Sequence, residues 1–320
     1  VSRCGATLLG AIPLRIEVNM HSGTRYGRIT ESLDAFRDTG GTRVRGPIKS
    51  FTRAEAMQSL FLAQQRAMAS AVAEERRPGL FIFAAHERLG HLGRLWLQAT
   101  ETPRAGTIGR HDFVDLPLPA DDALSLRHLL FVVRRDGLDV RFSALDLGTP
   151  GGLLLESGTQ ARLVEGTSAL FLRASGYTFF CLPTGIGPWW DRNADDPWAS
   201  MPPRRHRRVE PVEPAPDARR AGMVELAWHQ SSLRVIVSQR MLTRGVLVGR
   251  GERCEVHAPV QSLSRVHVVL LDVQGELFLF DSGSTNGTWA EGEQLSALAL
   301  ESGGSLKLGE EVTLKWACAH

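Results

Sequence analysis

The apolar positions change period once early in the chain. Met57, Leu60, Phe61, Met68 and Val72 recur at roughly helical spacing. Thr52 with Glu55 three residues later reads as a capping box. Arg76 and Arg77 fall in the last turn, where cations complement the helix dipole, and Pro78-Gly79 stop it. One amphipathic helix is predicted from about Arg53 to Glu75, with packing against the following domain as its expected role. Before it, residues 1–50 are polar and turn-rich, punctuated by Gly40-Gly41 and Pro47. Their start is a poor match to a secretory signal.

From about Gly79 the texture is short strands. Leu138-Asp139-Val140-Arg141-Phe142 alternates apolar and polar, the pattern of a sheet with one wet face. Asp136-Gly137 joins it to the run Leu129–Val133 as a hairpin. Strand texture returns after residue 222. Leu233–Val237 and Val246–Val248 read as strands, and Val266–Leu271 and Leu277–Phe280 as a hairpin across Gln274-Gly275. Leu306–Leu308 and Val312–Trp316 close the chain. Regularly spaced short strands predict an all-β sandwich or barrel architecture.

Between these regions, residues 183–216 hold eight of the sixteen prolines. That density is expected to prevent regular secondary structure and to make 185–222 a semi-extended linker. Trp189, Trp190 and Trp198 are expected to fold back onto a neighbouring domain. Arg204-Arg205-His206-Arg207-Arg208 is a basic cluster within this linker, read as a solvated segment; nucleic-acid contact is the alternative.

Composition adds exclusions. A chain of 320 residues has room for about two domains, and 43% hydrophobic with 22% charged residues is an ordinary globular balance. The formal charge of +2 gives no bulk attraction to polyanions. No apolar run approaches the roughly 18 residues of a membrane helix. Cys4, Cys181, Cys254 and Cys318 are too scattered for a zinc framework or a disulfide scaffold. Arginine outnumbers lysine 34 to 3, as in a GC-rich coding genome, so no arginine counts unless its surroundings single it out.

Three ordered motifs occur twice. Thr107-Ile108-Gly109-Arg110 parallels Leu247-Val248-Gly249-Arg250, and Ser125-Leu126-Arg127-His128 parallels Ser264-Arg265-Val266-His267. Asp146-Leu147-Gly148-Thr149-Pro150-Gly151-Gly152 parallels Asp281-Ser282-Gly283-Ser284-Thr285-Asn286-Gly287. The offsets drift only between 135 and 140 residues, the mark of a tandem duplication.

On Gly249-Arg250, Ser264-x-x-His267 and Ser284-Thr285-Asn286-Gly287-Thr288, the second copy resembles a forkhead-associated (FHA) domain. The first copy resembles the same family much more weakly. The resemblance implies tandem eleven-stranded β-sandwiches and phosphothreonine-peptide binding by loops at one end. The expected organisation is an N-terminal extension with one helix (1–78), a degenerate FHA-like sandwich (79–184), a Pro/Arg-rich linker (185–222) and an FHA domain (223–320).

Phosphothreonine brings a charge of about −1.5 to −2 and three acceptor oxygens, so its site needs converging donors and at least one cation. Arg250 follows a short apolar strand, and its planar fork suits two parallel charge-assisted bonds. Ser264 and Thr285 offer hydroxyls, and Arg265 a second cation. By resemblance Arg250 and Ser264 are the principal phosphate contacts, with Arg265 and Thr285 assisting, and Asn286 grips the peptide backbone. Gly249, His267 and Gly287 are expected to be architectural. In the first copy Arg110, Ser125 and His128 remain, but Leu126, Pro150 and Gly151 replace Arg265, Thr285 and Asn286. His111 and Arg127 are candidate replacement charges there, although Arg127 sits one strand position off, where side chains point to the other face.

His86-Glu87-Arg88-Leu89-Gly90-His91 has one residue too many for a zinc-protease helix motif. Gly283–Gly287 lacks the central serine of a nucleophile elbow. The expectation is therefore a cytoplasmic, non-catalytic adaptor without metal or cofactor. A Ser/Thr kinase or its phosphorylated substrates are the expected partners, with neither membrane nor nucleic acid, and the source is expected to be bacterial. The alternative is a phosphate-independent scaffold in a secretion or regulatory assembly.

Overall fold

Helix α1 (Arg53–Glu74) opens the part of the chain that the computed structural model describes. The described residues are 53–319 apart from 89, 91, 120, 186–193, 202–203, 205 and 213–218. Thr52, residues 1–50, His91, Trp189 and Trp190 lie outside them. The helix ends at Glu74, so Arg76 and Arg77 fall beyond its last turn rather than within it. Pro78 disfavours helical backbone at the residue before it. Arg77 instead donates to Glu75 at 2.8 and 2.7 Å, and its guanidinium stacks 4.3 Å above Trp96.

Eleven strands follow in the first module. They are β1 (Gly79–His86), β2 (Leu92–Gln98), β3 (Arg104–Gly109) and β4 (Leu116–Pro117); β5 (Leu129–Asp136), β6 (Asp139–Asp146), β7 (Leu153–Leu155) and β8 (Gln160–Ala161); and β9 (Leu163–Gly166), β10 (Leu170–Ala174) and β11 (Tyr177–Thr184). One sheet runs β2-β1-β11-β10-β7-β8, the other β9-β6-β5-β3-β4. A twelfth strand, β12 (His206–Glu210), extends the second sheet beside β9. This strand lies inside the stretch expected to have no regular structure. The prolines flank it rather than interrupt it, which an edge strand tolerates.

The second module begins with β13 (Arg220–Trp228) and β14 (Ser231–Ser238), then a short helix, α2 (Gln239–Arg244). Next come β15 (Val246–Gly249), β16 (Val256–His257), β17 (Val268–Val273) and β18 (Glu276–Asp281). The last five are β19 (Thr288–Ala290), β20 (Glu293–Leu295), β21 (Ala297–Ala299), β22 (Ser305–Leu308) and β23 (Val312–Cys318). Its sheets run β14-β13-β23-β22-β19-β20 and β16-β15-β17-β18-β21. Adding twelve to each strand number of the first module reproduces these orders, down to the short parallel pairs β3–β4 and β15–β16. The all-β tandem architecture is as expected, and the duplication read from three motifs runs the length of both modules.

Each sandwich has its own core. Alternation along β1 sends Leu80, Ile82 and Ala84 inward and Phe81, Phe83 and Ala85 outward, all buried. The outward set is covered by Met57, Phe61 and Met68 of α1 and by Trp198 and Met201. Trp198 packs 5.4 Å from Phe61 and from Phe171, so this tryptophan folds back onto the first module.

Away from its turn, the hairpin β5–β6 is buried on both faces. Leu129, Phe131 and Val133 enter the first module's core, while Leu130 and Val132 join Leu145, Leu147 and Leu163 on the opposite face. That face packs against Leu247, Cys254, Val269, Leu271, Phe278 and Phe280 of the second module. Burial on both sides is what the unbroken run Leu129–Val133 required, while in the alternating stretch 138–142 Val140 and Phe142 are buried and Asp139 is exposed. Exposing one such side chain costs about 1.5–3 kcal/mol. Five together rival the whole stability of a small domain, about 5–15 kcal/mol.

The packing is isologous. The Gly148 loop abuts Leu247 and Arg253 of the second module, and the Gly283 loop abuts the equivalent Thr107 and Phe113 of the first. These two loop contacts therefore mirror each other, as in a two-fold dimer. No helix among the described residues is long and apolar enough to cross a membrane.

Because the face is shared, the full chain should melt in one calorimetric transition covering both modules. Leu271→Ala should lower that single transition at a cost of about 2–5 kcal/mol. Two separate transitions in the parent chain would contradict a shared core.

Candidate functional site

Strand β15 runs into Gly249-Arg250 at the tip of the second sandwich. The backbone there lies against the 264–265 loop: Arg250 N–H donates to Ser264 O at 3.0 Å and Gly251 N–H to Arg265 O at 2.9 Å. A β-carbon on Gly249 would lie 2.4 Å from Arg265 O and 2.7 Å from Ser264 O, so only glycine permits this approach. Arg250 and Arg265 are exposed, and among the described residues neither guanidinium has a carboxylate partner within 4.0 Å.

The two loops that flank Arg250 are tied to each other. Ser264 is buried, and its Oγ accepts from Thr285 N–H at 3.0 Å and lies 3.5 Å from Thr285 Oγ1. Ser264 N–H donates to Nδ1 of His267 at 3.2 Å, and Nε2 of the same ring lies 3.1 Å from Gly287 O. A neutral ring with its proton on Nε2 satisfies both contacts and staples one loop to the other. Burial holds the His267 pKa below the ordinary 6.5, although Asp281 pulls the other way. Gly309 N–H donates to the same Gly287 carbonyl at 2.8 Å.

Asp281, at the end of β18, is an organiser that the motif comparison contained but did not single out. Its carboxylate accepts from Ser284 N–H, Ser284 Oγ and Thr288 Oγ1, each at 2.6 Å. The equivalent Asp146 accepts from Gly148 N–H at 3.0 Å and Thr149 N–H at 2.8 Å. Its recurrence at the same place in both copies was the available signal. Asn286 is exposed and donates from Nδ2 to Ser262 O at 2.8 Å, which leaves its side-chain carbonyl and one amide hydrogen for a ligand. The structure thus gathers Arg250, Ser264, Arg265, Thr285 and Asn286 around one loop cluster, with Gly249, His267 and Gly287 beneath them.

The first module closes the equivalent position. Arg110 donates from Nε to Leu124 O at 3.2 Å and lies 3.6 Å from Asp122. Ser125 N–H still donates to His128 Nδ1 at 3.0 Å, but Nε2 of His128 has no hydrogen-bond partner. Pro150 has neither a hydroxyl nor a backbone N–H, and Gly151 lacks a side-chain amide. His111 accepts from Phe113 N–H at 3.1 Å, and Arg127 turns to the other face, away from this position. Three described arginines of the linker cluster have partners within the chain; Arg205 lies outside the described residues. Arg204 forks onto Glu156 at 2.6 and 2.7 Å and stacks on Phe171 and Trp198, while Arg207 and Arg208 lie 3.6 and 3.4 Å from Glu165.

Residues 246–309 match the family model described as FHA domain. No curated protein matches the chain. Among solved structures, the Mycobacterium tuberculosis Rv1747 FHA-1 is 19% identical over 30% of this chain and 98% of that one, with a TM-score of 0.25. The FHA domain of the Chlamydia trachomatis CT664 protein is 16% identical over 30% of this chain and 96% of that one, TM-score 0.27. Mycobacterium tuberculosis EmbR, solved with a low-affinity phosphopeptide, is 19% identical over 30% of this chain and 24% of that one, TM-score 0.26.

Buried His128 and His267 make stability depend on pH. Burial lowers the pKa of both His128 and His267, so below about 6.5 the unfolded chain binds protons that the folded chain refuses. Stability should be level above pH 6.5 and fall as pH drops toward 5, by up to about 1.4 kcal/mol per pH unit for each histidine. Denaturant titrations between pH 5 and 8 should show this slope reduced in His267→Gln.

Proposed function

With residues 246–309 forming an FHA domain, we propose that this protein is a phosphothreonine-dependent adaptor in Ser/Thr kinase signalling, non-catalytic and acting in the cytoplasm. Residues 223–320 are the binding module and residues 79–184 its degenerate partner. One observation carries the reading: Arg250 presents an exposed guanidinium without a carboxylate partner among the described residues, beside Ser264, whose hydroxyl is held in place by the Thr285 amide.

A phosphate on threonine matches that arrangement in charge and in hydrogen bonding. The Arg250 fork supplies the principal cation and Ser264 the principal hydroxyl. Arg265 and Thr285 add a second charge and a second hydroxyl from the two adjoining loops. The free half of the Asn286 amide meets the backbone of an extended peptide, which offers alternate donors and acceptors. His267 and Asp281 contribute by rigidity, because a loop already ordered before binding loses less entropy on capture. The first module lacks the open cation, since Arg110 is drawn onto Leu124 O and toward Asp122.

The reading is tested by calorimetric titration of the full chain with degenerate peptides centred on phosphothreonine, phosphoserine or threonine. Phosphothreonine peptides should bind best. Arg250→Ala or Ser264→Ala should each weaken them about ten- to a hundredfold, and Arg110→Ala should leave affinity unchanged. Equal binding of phosphorylated and plain threonine peptides would overturn the adaptor reading in favour of a phosphate-independent scaffold.

A further inference from the structure

The loop that carries Thr285 is held from two sides, and only one side belongs to its own module. From within, Asp281 grips Ser284 through its amide and its hydroxyl. From outside comes Arg127, half-buried, from the first module. Its Nε donates to Gly283 O at 2.8 Å, its Nη2 bonds the same carbonyl, and Nη2 lies 3.5 Å from Thr285 Oγ1. Asp281 attracts this guanidinium electrostatically. Gly283 has φ +78°, a conformation other residues rarely adopt, and the first module's Thr107 and Phe113 lie against it.

A contact on the equivalent carbonyl, made from a different loop, isolates what is special here. Arg253 of the second module donates to Gly148 O at 3.0 Å, the carbonyl equivalent to that of Gly283. There the following residues are Thr149, Pro150 and Gly151, with no hydroxyl in the place of Thr285. An arginine of the opposite module thus reaches a loop without phosphate donors on one side and a fully equipped loop on the other. Thr285 Oγ1 lies 3.5 Å from Ser264 Oγ and 3.5 Å from the Arg127 guanidinium, so the cation borders the proposed phosphate cradle.

We propose that Arg127 of the first module is a positioning residue of the second module's phosphothreonine site, so that the site is built by both modules. The proposal rests on the phosphothreonine reading above. Arg127 fixes the Gly283 carbonyl so that Thr285 meets Ser264, and it adds positive charge at the rim beside Arg250 and Arg265. A module freed from its partner would keep Arg250 and Ser264 but lose this constraint.

The test uses the full chain as parent, Arg127→Ala, Arg127→Lys, Arg253→Ala and Arg250→Ala. Each is titrated with the degenerate phosphothreonine peptides at two salt concentrations, and amide hydrogen exchange over residues 282–288 is followed without peptide. Arg127→Ala should bind about tenfold more weakly and exchange faster across the loop. Arg127→Lys should recover the parent's salt dependence but not its affinity, since lysine lacks the fork. Arg253→Ala should match the parent in both measurements. Unchanged affinity in Arg127→Ala overturns the proposal, as does an equal loss in Arg253→Ala, which would trace the effect to module docking. A parent chain that ignores phosphorylation refutes the adaptor reading instead. Exchange then decides the role of Arg127: faster loop exchange in Arg127→Ala alone upholds positioning, and unchanged exchange ends it.

Discussion

The two sandwiches are held together by apolar side chains that neither can leave in water. Leu130, Val132, Leu145, Leu147 and Leu163 on one side and Leu247, Val269, Leu271, Phe278 and Phe280 on the other form one buried layer. It is built from equivalent strands, β5 and β6 against β17 and β18, so the same pattern is solved twice. Everything at the tip of the second module inherits its placement from this layer. The Gly283 loop sits where the modules meet, and its outer support arrives on Arg127, two positions before β5.

The charged groups at the same boundary follow from that burial rather than cause it. Arg162, nearly buried, lies 3.8 Å from Asp146 and 3.7 Å from Glu255 of the opposite module. Arg134 reaches Glu276 across the boundary at 2.8 Å. Buried ion pairs return little net stability, but a mismatched pairing would strand a charge, so they favour one register of docking over others. The apolar layer supplies the affinity and these pairs the alignment.

Much of this was legible in the residues. The turn signals Asp136-Gly137 and Gln274-Gly275 placed two hairpins, because both sites need positive φ, and the backbone has it at Gly137, Gln274 and Gly275. Three repeated motifs revealed the duplication, and the position of His267 marked it as a brace. What escaped was tertiary. The unbroken run Leu129–Val133 did not say which module covers its outer face. Nothing local showed that Arg110 would turn onto Leu124 O and toward Asp122, or that prolines in the linker would frame a strand. Arg127 was legible in part: strand alternation pointed it away from its own module's position, but only the docked pair shows the carbonyl it reaches.

Covalent fusion changes what the isologous packing means. In separate chains such a face would assemble according to concentration, and dilution would strip each copy of its neighbour. Within one polypeptide the neighbour is supplied at a fixed, high effective molarity. The upstream copy, in which Pro150 and Gly151 stand where its twin has Thr285 and Asn286, is thereby kept against that twin at any dilution.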